Sequence, residues 1–286
     1  MELQELEYFC TVAAEGSLSR AAQHLNYAQS NLSTKIMKLE EELDALLFYR
    51  SNQGVSLTPK GEVLYQYATK MLHMAKETTE ALKDTNSGCT IQLGTTEANA
   101  ISFLPKFLST YTPRHPFVSL QVETSVTDSI ISRVLDRSFD LAFITGTTQH
   151  PELSCHFVYE EELVIVSHKK YGTDCSYKKI LENPMLVFTK GCTCRKIFEK
   201  FLEHEDAHPK QIMEAENLST IFSNVISGLG IACFPRSCVE FYKAHFPIYI
   251  YEMPLEFRKA TISLIHRKDT YLSKAICDFI NLAVHL

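Results

Sequence analysis

The chain has no long apolar run. Its hydrophobic stretches, such as IACF from Ile231, fall far short of the roughly 20 residues that a membrane helix needs, so no membrane partner is expected. The N-terminus lacks a basic segment followed by an apolar one. No export signal is therefore expected, and the chain is expected to work in the cytoplasm. Glycine and proline are scarce, ten of each among 286 residues, and charged residues are 22%, which is not the composition of a disordered chain. There is no Cys-x-x-Cys pair, and the His-Glu-x-x-His spacing at His204 to His208 falls on a polar helix end rather than within a helix, so neither a metal site nor a cofactor is expected. The nine cysteines are odd in number and scattered from Cys10 to Cys277, which suits reduced thiols better than a disulfide framework. Positive charge is also short. Lys and Arg number 28 against 34 Asp and Glu, a formal net charge of -6, so any hold on a polyanion must come from a local basic surface.

What is present fits about two domains. Residues 1–58 read as compact and helical. Leu3, Leu6, Phe9, Val12 and Ala13 recur at helical spacing, as do Leu18, Ala21, Ala22 and Leu25, and then Leu32, Ile36, Leu39 and Leu43. Asn26-Tyr27 separates the second helix from the third, and Ser19 is the expected cap of the second. In LLFYRSNQGVSLT, polar Ser51 to Gly54 lies between apolar runs and predicts a small hairpin, or wing. Pro59 opens a long helix without a breaker between Gly61 and Asn86. Its Leu64, Tyr67, Met71, Met74, Thr78 and Leu82 step by three and four, which predicts a seam with a second copy of the same helix. A single amphipathic helix lying on its own domain is the other reading. The segment DTNSG then reads as a hinge. From Thr90 onward short apolar strands alternate with helices, which predicts an α/β domain with mostly parallel sheets and ligands beyond the carboxyl ends of the strands.

The segment SLSRAAQHLNYAQSNLSTKIMKLEEEL, from Ser17, carries chemistry for reading DNA. Small Ala21 and Ala22 let two helices approach closely, and the third helix opens on short polar side chains. In a helix-turn-helix that end of the helix enters the major groove. Gln29 suits adenine N6/N7. Ser30, Asn31 and Ser33 reach bases or phosphates, Thr34 lies one turn on, and Lys35 and Lys38 reach phosphate. Residues 17–39 hold Arg20, Lys35 and Lys38 and no acid, a local +3, while Glu40, Glu41, Glu42 and Asp44 follow at the far end. Ser19 and Arg20 on the second helix, and Arg50 beside the wing, complete the candidate DNA contacts.

The stretch LEYFCTVAAEGSLSRAAQHLNYAQSNLSTKIMKLEEELDALLFYR, followed by VSLTPKGEVL, resembles the N-terminal domain of LysR-type transcriptional regulators. The matching elements are Ser-x-x-x-Ala-Ala, Gln-Ser opening the third helix, Leu-Glu-x-x-Leu, Leu-Phe-x-Arg and Leu-Thr-x-x-Gly. FDLAFITG and ISGLGIACFP match later elements of the same family, so the resemblance covers the full length. Two departures stand out. Ala28 replaces the serine that many relatives carry as the cap of the third helix, and the wing SNQGVSLT is poor in arginine. The resemblance implies an α+β multidomain protein: a winged helix-turn-helix at 1–58, a linker and dimerisation helix at 59–87, and an effector-binding domain at 88–286 similar to type 2 periplasmic binding proteins. Its lobes would be about 88–165 with 262–286, and about 166–261, with the chain crossing near His168 and returning near Ile262. It implies no enzyme. The implied partners are double-stranded promoter DNA, a second copy in a homodimer or homotetramer, a small-molecule effector and RNA polymerase.

The residues also point to a ligand site. Strands end in Thr, Ser or Gly directly before helices, and hydroxyls with helix N-termini favour anions. Thr95, Thr96, Thr127, Thr147, Cys192, Thr193 and Arg195 are the candidate effector contacts, and an anionic group is expected on the effector. In GCTCR the thiols of Cys192 and Cys194 lie near a helix start beside Arg195, so a thiol-based redox or metal sensor is an alternative to two cysteines that simply pack. A transport protein would leave residues 1–58 without a role, and a cysteine enzyme would need a histidine partner that shows no motif spacing.

Overall fold

A computed structural model describes residues 1–51, 54–82, 90–172, 176–243 and 245–285. The chain divides into two compact units, Met1–Asp84 and, in the main, Thr85–Leu286. The hinge read in residues 84–88 and the wing-tip residues Asn52 and Gln53 lie outside the described residues.

The first unit is built on three short helices, α1 (Leu3–Glu15), α2 (Leu18–His24) and α3 (Gln29–Glu42). Their apolar stripes bury Phe9, Val12, Ala21, Leu32, Ile36 and Leu39 almost completely in one core. Ser17, not Ser19, caps α2: its side chain accepts from the Arg20 amide, and Ser19 lies inside the helix and is exposed. The serine two residues earlier has the extended backbone a cap requires. The turn into α3 places Asn26 in the left-handed region at φ 55°, which asparagine tolerates. The Tyr8 and Tyr27 hydroxyls, 2.7 Å apart, tie that turn back to α1. Ala28 precedes α3 without a side-chain cap bond.

Strands β1 (Phe48–Ser51) and β2 (Gly54–Leu57) pair antiparallel as the wing. The wing docks where α1 ends: the Val55 amide donates to the Gly16 carbonyl at 3.0 Å. Gly54, at φ +134°, comes so close that a Cβ would lie 2.5 Å from that same oxygen. Helix α4 (Pro59–Leu82) follows. The predicted seam splits over two faces. Leu64 and Met71 pack on the core of this unit, whereas Tyr67, Met74 and Leu82 are exposed together with Val63.

The second unit is a mixed sheet rather than a mostly parallel one. Strands β3 (Thr90–Thr95), β4 (Ser119–Thr124) and β5 (Leu141–Thr145) run parallel, with α5 (Glu97–Ser102), α6 (Leu104–Tyr111) and α7 (Thr127–Leu135) between them. Strand β6 (Leu153–Ser167) is long and antiparallel to its neighbours. After it come α8 (Tyr177–Leu181), β7 (Met185–Phe188), α9 (Thr193–His204), β8 (Ile212–Ala215), α10 (Leu218–Ile226), β9 (Ile231–Pro235), α11 (Arg236–Lys243), β10 (Tyr249–Glu252), α12 (Leu255–Arg258), β11 (Lys259–Arg267) and α13 (Lys274–Val284). Along Leu153–Glu162 β6 pairs with β11, and along Leu163–Ser167 it pairs with β9 and β10. The exchange of partners on β6 therefore comes before the His168 crossing expected from the sequence. Separate aromatic cores lie on either side of it, one around Phe107, Phe143 and Phe279, the other around Phe222 and Phe234. These are two lobes joined by one continuous sheet.

Candidate nucleic-acid interface and effector cleft

Helix α3 has two unlike faces. Leu32, Ile36, Leu39 and Glu40 are buried, while Gln29, Ser30, Asn31, Thr34, Lys35 and Lys38 are exposed and Ser33 is half-buried. The polar opening of the helix is thus presented outward because its apolar positions repeat at the helical period. The Thr34 hydroxyl donates back to the Ser30 carbonyl at 2.9 Å. Arg20 is exposed and donates to the Glu15 carbonyl.

Arg50 is not free for a phosphate. Its guanidinium lies 3.0 Å from Glu40. Glu40 also accepts from the amides of Leu47 at 2.8 Å and Phe48 at 3.3 Å, so one buried carboxylate clamps the end of α3 to the first strand of the wing. Sequence reasoning placed Glu40 only in the acidic run at the far end of α3. The Leu-Glu-x-x-Leu pattern held a signal, since a glutamate next to core Leu39 and one turn on from core Ile36 lies on the buried side.

Between the lobes lies a cleft of about 290 Å³. One wall comes from the starts of α5 and α7 and the ends of β4 and β5, with Thr96, Glu97, Ser125, Thr127 and Thr145. The other comes from the ends of β7 and β9 and the start of α9, with Phe188, Cys192, Thr193, Glu216 and Phe234. The walls are bridged. Lys196 contacts both carboxylate oxygens of Asp128 at 2.7 and 2.8 Å, and the Asp128 amide donates to the Gly191 carbonyl at 3.3 Å. Gly191 stands at φ +97°, and a Cβ there would press on Val126 and Asp128 at 3.2 and 3.3 Å. Glu97 reaches across and accepts from the Leu218 amide at 2.7 Å, at the start of α10.

The structure brings Thr96, Thr127, Cys192 and Thr193 together as expected but leaves the other candidates out. Thr95 is fully buried and its hydroxyl donates to the Thr96 carbonyl at 3.4 Å. Thr147 is exposed and outside the lining. Arg195 is buried and turned away, because Glu199 at 2.7 Å, Glu214 at 2.9 Å and the Phe188 carbonyl at 2.8 Å hold its guanidinium. Glu97, Ser125 and Glu216 were missed. Glu216 follows β8, a strand too short to stand out by pattern.

Cys192 has its thiol pKa lowered to about 7, first by the hydrogen bond from the Cys194 thiol and then by the amides of Arg195 and Cys194, against the effect of burial. Cys194 is pushed the other way by the same bond and by burial. Both thiols are free. Among the described residues no cluster of His, Cys, Asp or Glu could hold a metal ion, and no helix is long and apolar enough to cross a membrane.

Comparison with known proteins agrees with this geometry. Residues 3–62 match the bacterial regulatory helix-turn-helix protein, lysR family, and residues 85–285 match the LysR substrate binding domain. This kinship does not favour the redox alternative. The chain is 36% identical over 281 residues to the HTH-type transcriptional regulator SoxR of Arthrobacter sp. (strain TE1826), covering 98% of this chain and 96% of that one. It is 35% identical over 281 residues to the HTH-type transcriptional regulator GltR of Bacillus subtilis (strain 168), covering 98% and 95%. In fold it is similar to the LysR family regulator CbnR, with a TM-score of 0.73 at 19% identity over 100% of this chain and 99% of that chain. CbnR complexed with its target DNA gives a TM-score of 0.71. The chain therefore belongs to the LysR family, as a ligand-responsive, DNA-binding transcription regulator and not an enzyme.

Proposed function

We propose that α3 reads the major groove of promoter DNA through Gln29, Ser30, Asn31 and Ser33, while Arg20, Lys35 and Lys38, with Ser19 and Thr34, hold its backbone. The observation that carries this is the outward polar face of α3, with three cations and no acid across residues 17–39. Few phosphates are contacted per copy, so the salt dependence of one half-site is shallow. A second copy supplies the second half-site. The exposed Val63, Tyr67, Met74 and Leu82 on α4 are the apolar face that supports pairing as a homodimer, and two such dimers make a homotetramer. Bound at a promoter in the cytoplasm, the assembly acts on RNA polymerase.

The effector lies in the cleft with an anionic group on the Thr193 hydroxyl and the N-termini of α7 and α9, joined by the Thr127 hydroxyl when it gives up its 3.4 Å bond to the Thr145 carbonyl. Arg195 adds nothing there, since its charge is neutralised outside the cleft. The effector acts by favouring one spacing of the lobes, for which it must bind the two arrangements unequally.

The test is selection of bound fragments from random DNA by the full-length protein at two salt concentrations. A two-fold-symmetric, interrupted site is expected. Gln29→Ala relaxes one base position of that site, whereas Lys35→Ala weakens binding to all sequences alike. Equal and uniform losses from both variants would overturn the groove assignment.

A further inference from the structure

The charged side chains of the cleft are all acidic. Glu97 and Glu216 line it, and no lysine, arginine or histidine does. They come from different lobes, Glu97 from the first turn of α5 and Glu216 from the link between β8 and α10. Glu97 spends Oε2 on the Leu218 amide, and its Oε1 has no protein donor among the described residues. Glu216 has neither a hydrogen bond nor an ion pair among the described residues. The nearby cations are already engaged, Arg195 by Glu199 and Glu214 and Lys196 by Asp128. Glu97 is half-buried and Glu216 is exposed, and a ligand that carries only negative charge would meet both carboxylates without a compensating cation. A divalent cation would need more oxygen ligands than two carboxylates offer, and no third acidic, His or Cys side chain joins them into a metal-holding group among the described residues.

We infer that the effector is a zwitterion, a small amino acid whose ammonium group is held by Glu97 and Glu216 and whose carboxylate takes the anion position at Thr127 and Thr193. This rests on the cleft reading given under Proposed function. An ammonium group presents three N–H donors, and the oxygens left without protein donors are Oε1 of Glu97 and the two of Glu216. The volume of about 290 Å³ suits a ligand of this size. The arrangement also couples binding to shape. Glu97 already holds the first turn of α10 across the cleft, and a shared ammonium adds a further tie between the lobes, so the bound state favours closure.

The experiment uses the full-length protein in calorimetric titration and thermal shift. The probes are the proteinogenic amino acids together with β-, γ- and N-methyl amino acids. For each one that binds, the hydroxy acid with the hydroxyl at the amine's position and the decarboxylated amine of the same skeleton follow. The expected result is binding of at least one amino acid, with both counterparts at least tenfold weaker. Glu216→Gln and Glu97→Gln each weaken that amino acid at least tenfold and leave the hydroxy acid unchanged or tighter, while Ser125→Trp, which fills the cleft, abolishes binding of all probes. A hydroxy acid that binds as tightly as its amino acid, or glutamine variants without effect, overturns the zwitterion but leaves the cleft in place. Binding that survives Ser125→Trp puts the ligand elsewhere and overturns both readings. No binding by any member of the panel overturns the inference of an amino acid effector.

Discussion

Glu40 is the point at which α3 and the wing are joined, and Glu40→Ala tests that joint. The carboxylate is buried and accepts from two backbone amides and from Arg50. The amides belong to Leu47 and Phe48, themselves 1% and 5% exposed, so water does not readily replace the lost acceptor. Each orphaned buried amide costs roughly 1–3 kcal/mol. The ion pair adds little, because the Arg50 side chain is 38% exposed and exposed pairs are worth up to about 1 kcal/mol. The sum is about 2–7 kcal/mol. In a domain of this size that lowers the melting temperature by about 10 °C or more. The assay is calorimetric melting of the full-length protein, with the N-terminal transition identified by its response to operator DNA. Arg50→Ala leaves both amide bonds in place and costs about 1 kcal/mol. At temperatures where Glu40→Ala remains folded, operator affinity falls but base preference persists, because the α3 side chains that face outward are untouched. Equal losses from Glu40→Ala and Arg50→Ala, or a shift below about 4 °C for Glu40→Ala, would refute the view that the backbone amides are what Glu40 anchors.

Ala28→Ser supplies the missing cap of α3 on a backbone already extended, at φ -72° and ψ 134°, and is expected to stabilise the N-terminal unit by about 1 kcal/mol; chemical denaturation reads this as a higher midpoint at unchanged slope. Gly61→Ala places a Cβ 2.1 Å from the Leu47 carbonyl oxygen, so it is expected to destabilise the same unit by about 1–3 kcal/mol, and a neutral result in the same melt would show that the backbone yields. Alkylation of Cys192 is expected to rise with pH around a midpoint near 7, and Cys194→Ala, which removes the thiol donor, moves the midpoint upward. With the folded pKa below the usual thiol value, the thiolate contributes stability that is fully present above that usual value and is lost as pH falls towards 7. A midpoint at the ordinary thiol value in the parent protein would show that the Cys194 hydrogen bond is not formed in solution.

Local order was legible in the sequence because its causes are local. The three-and-four spacing of Leu32, Ile36 and Leu39 makes α3 a helix with an outward polar face, whatever the rest of the chain does. The polar SNQG stretch between apolar runs likewise made the wing, and Thr193 after Gly191 marked the start of α9. Reading a cap two residues off, Ser19 for Ser17, is the ordinary error of such local reasoning. The two faces of α4 were harder, since one apolar period serves both the core under Leu64 and Met71 and the exposed row at Tyr67 and Met74.

The tertiary structure alone decided which chemistry faces the cleft. Arg195 is at a helix start, as its sequence position promised, but Glu214 on β8 lies close enough to draw its guanidinium away. Glu40 reads only as part of an acidic run until the return of the chain at Leu47 and Phe48 brings two amides onto it. Glu97 and Glu216, far apart in sequence, share a cleft because β6 exchanges partners at Glu162 and sets two lobes side by side. Periodicity and capping act over a turn of helix and are written in neighbouring residues. The charge of the cleft is a sum over side chains that only long-range strand pairing assembles, and no local pattern records that sum.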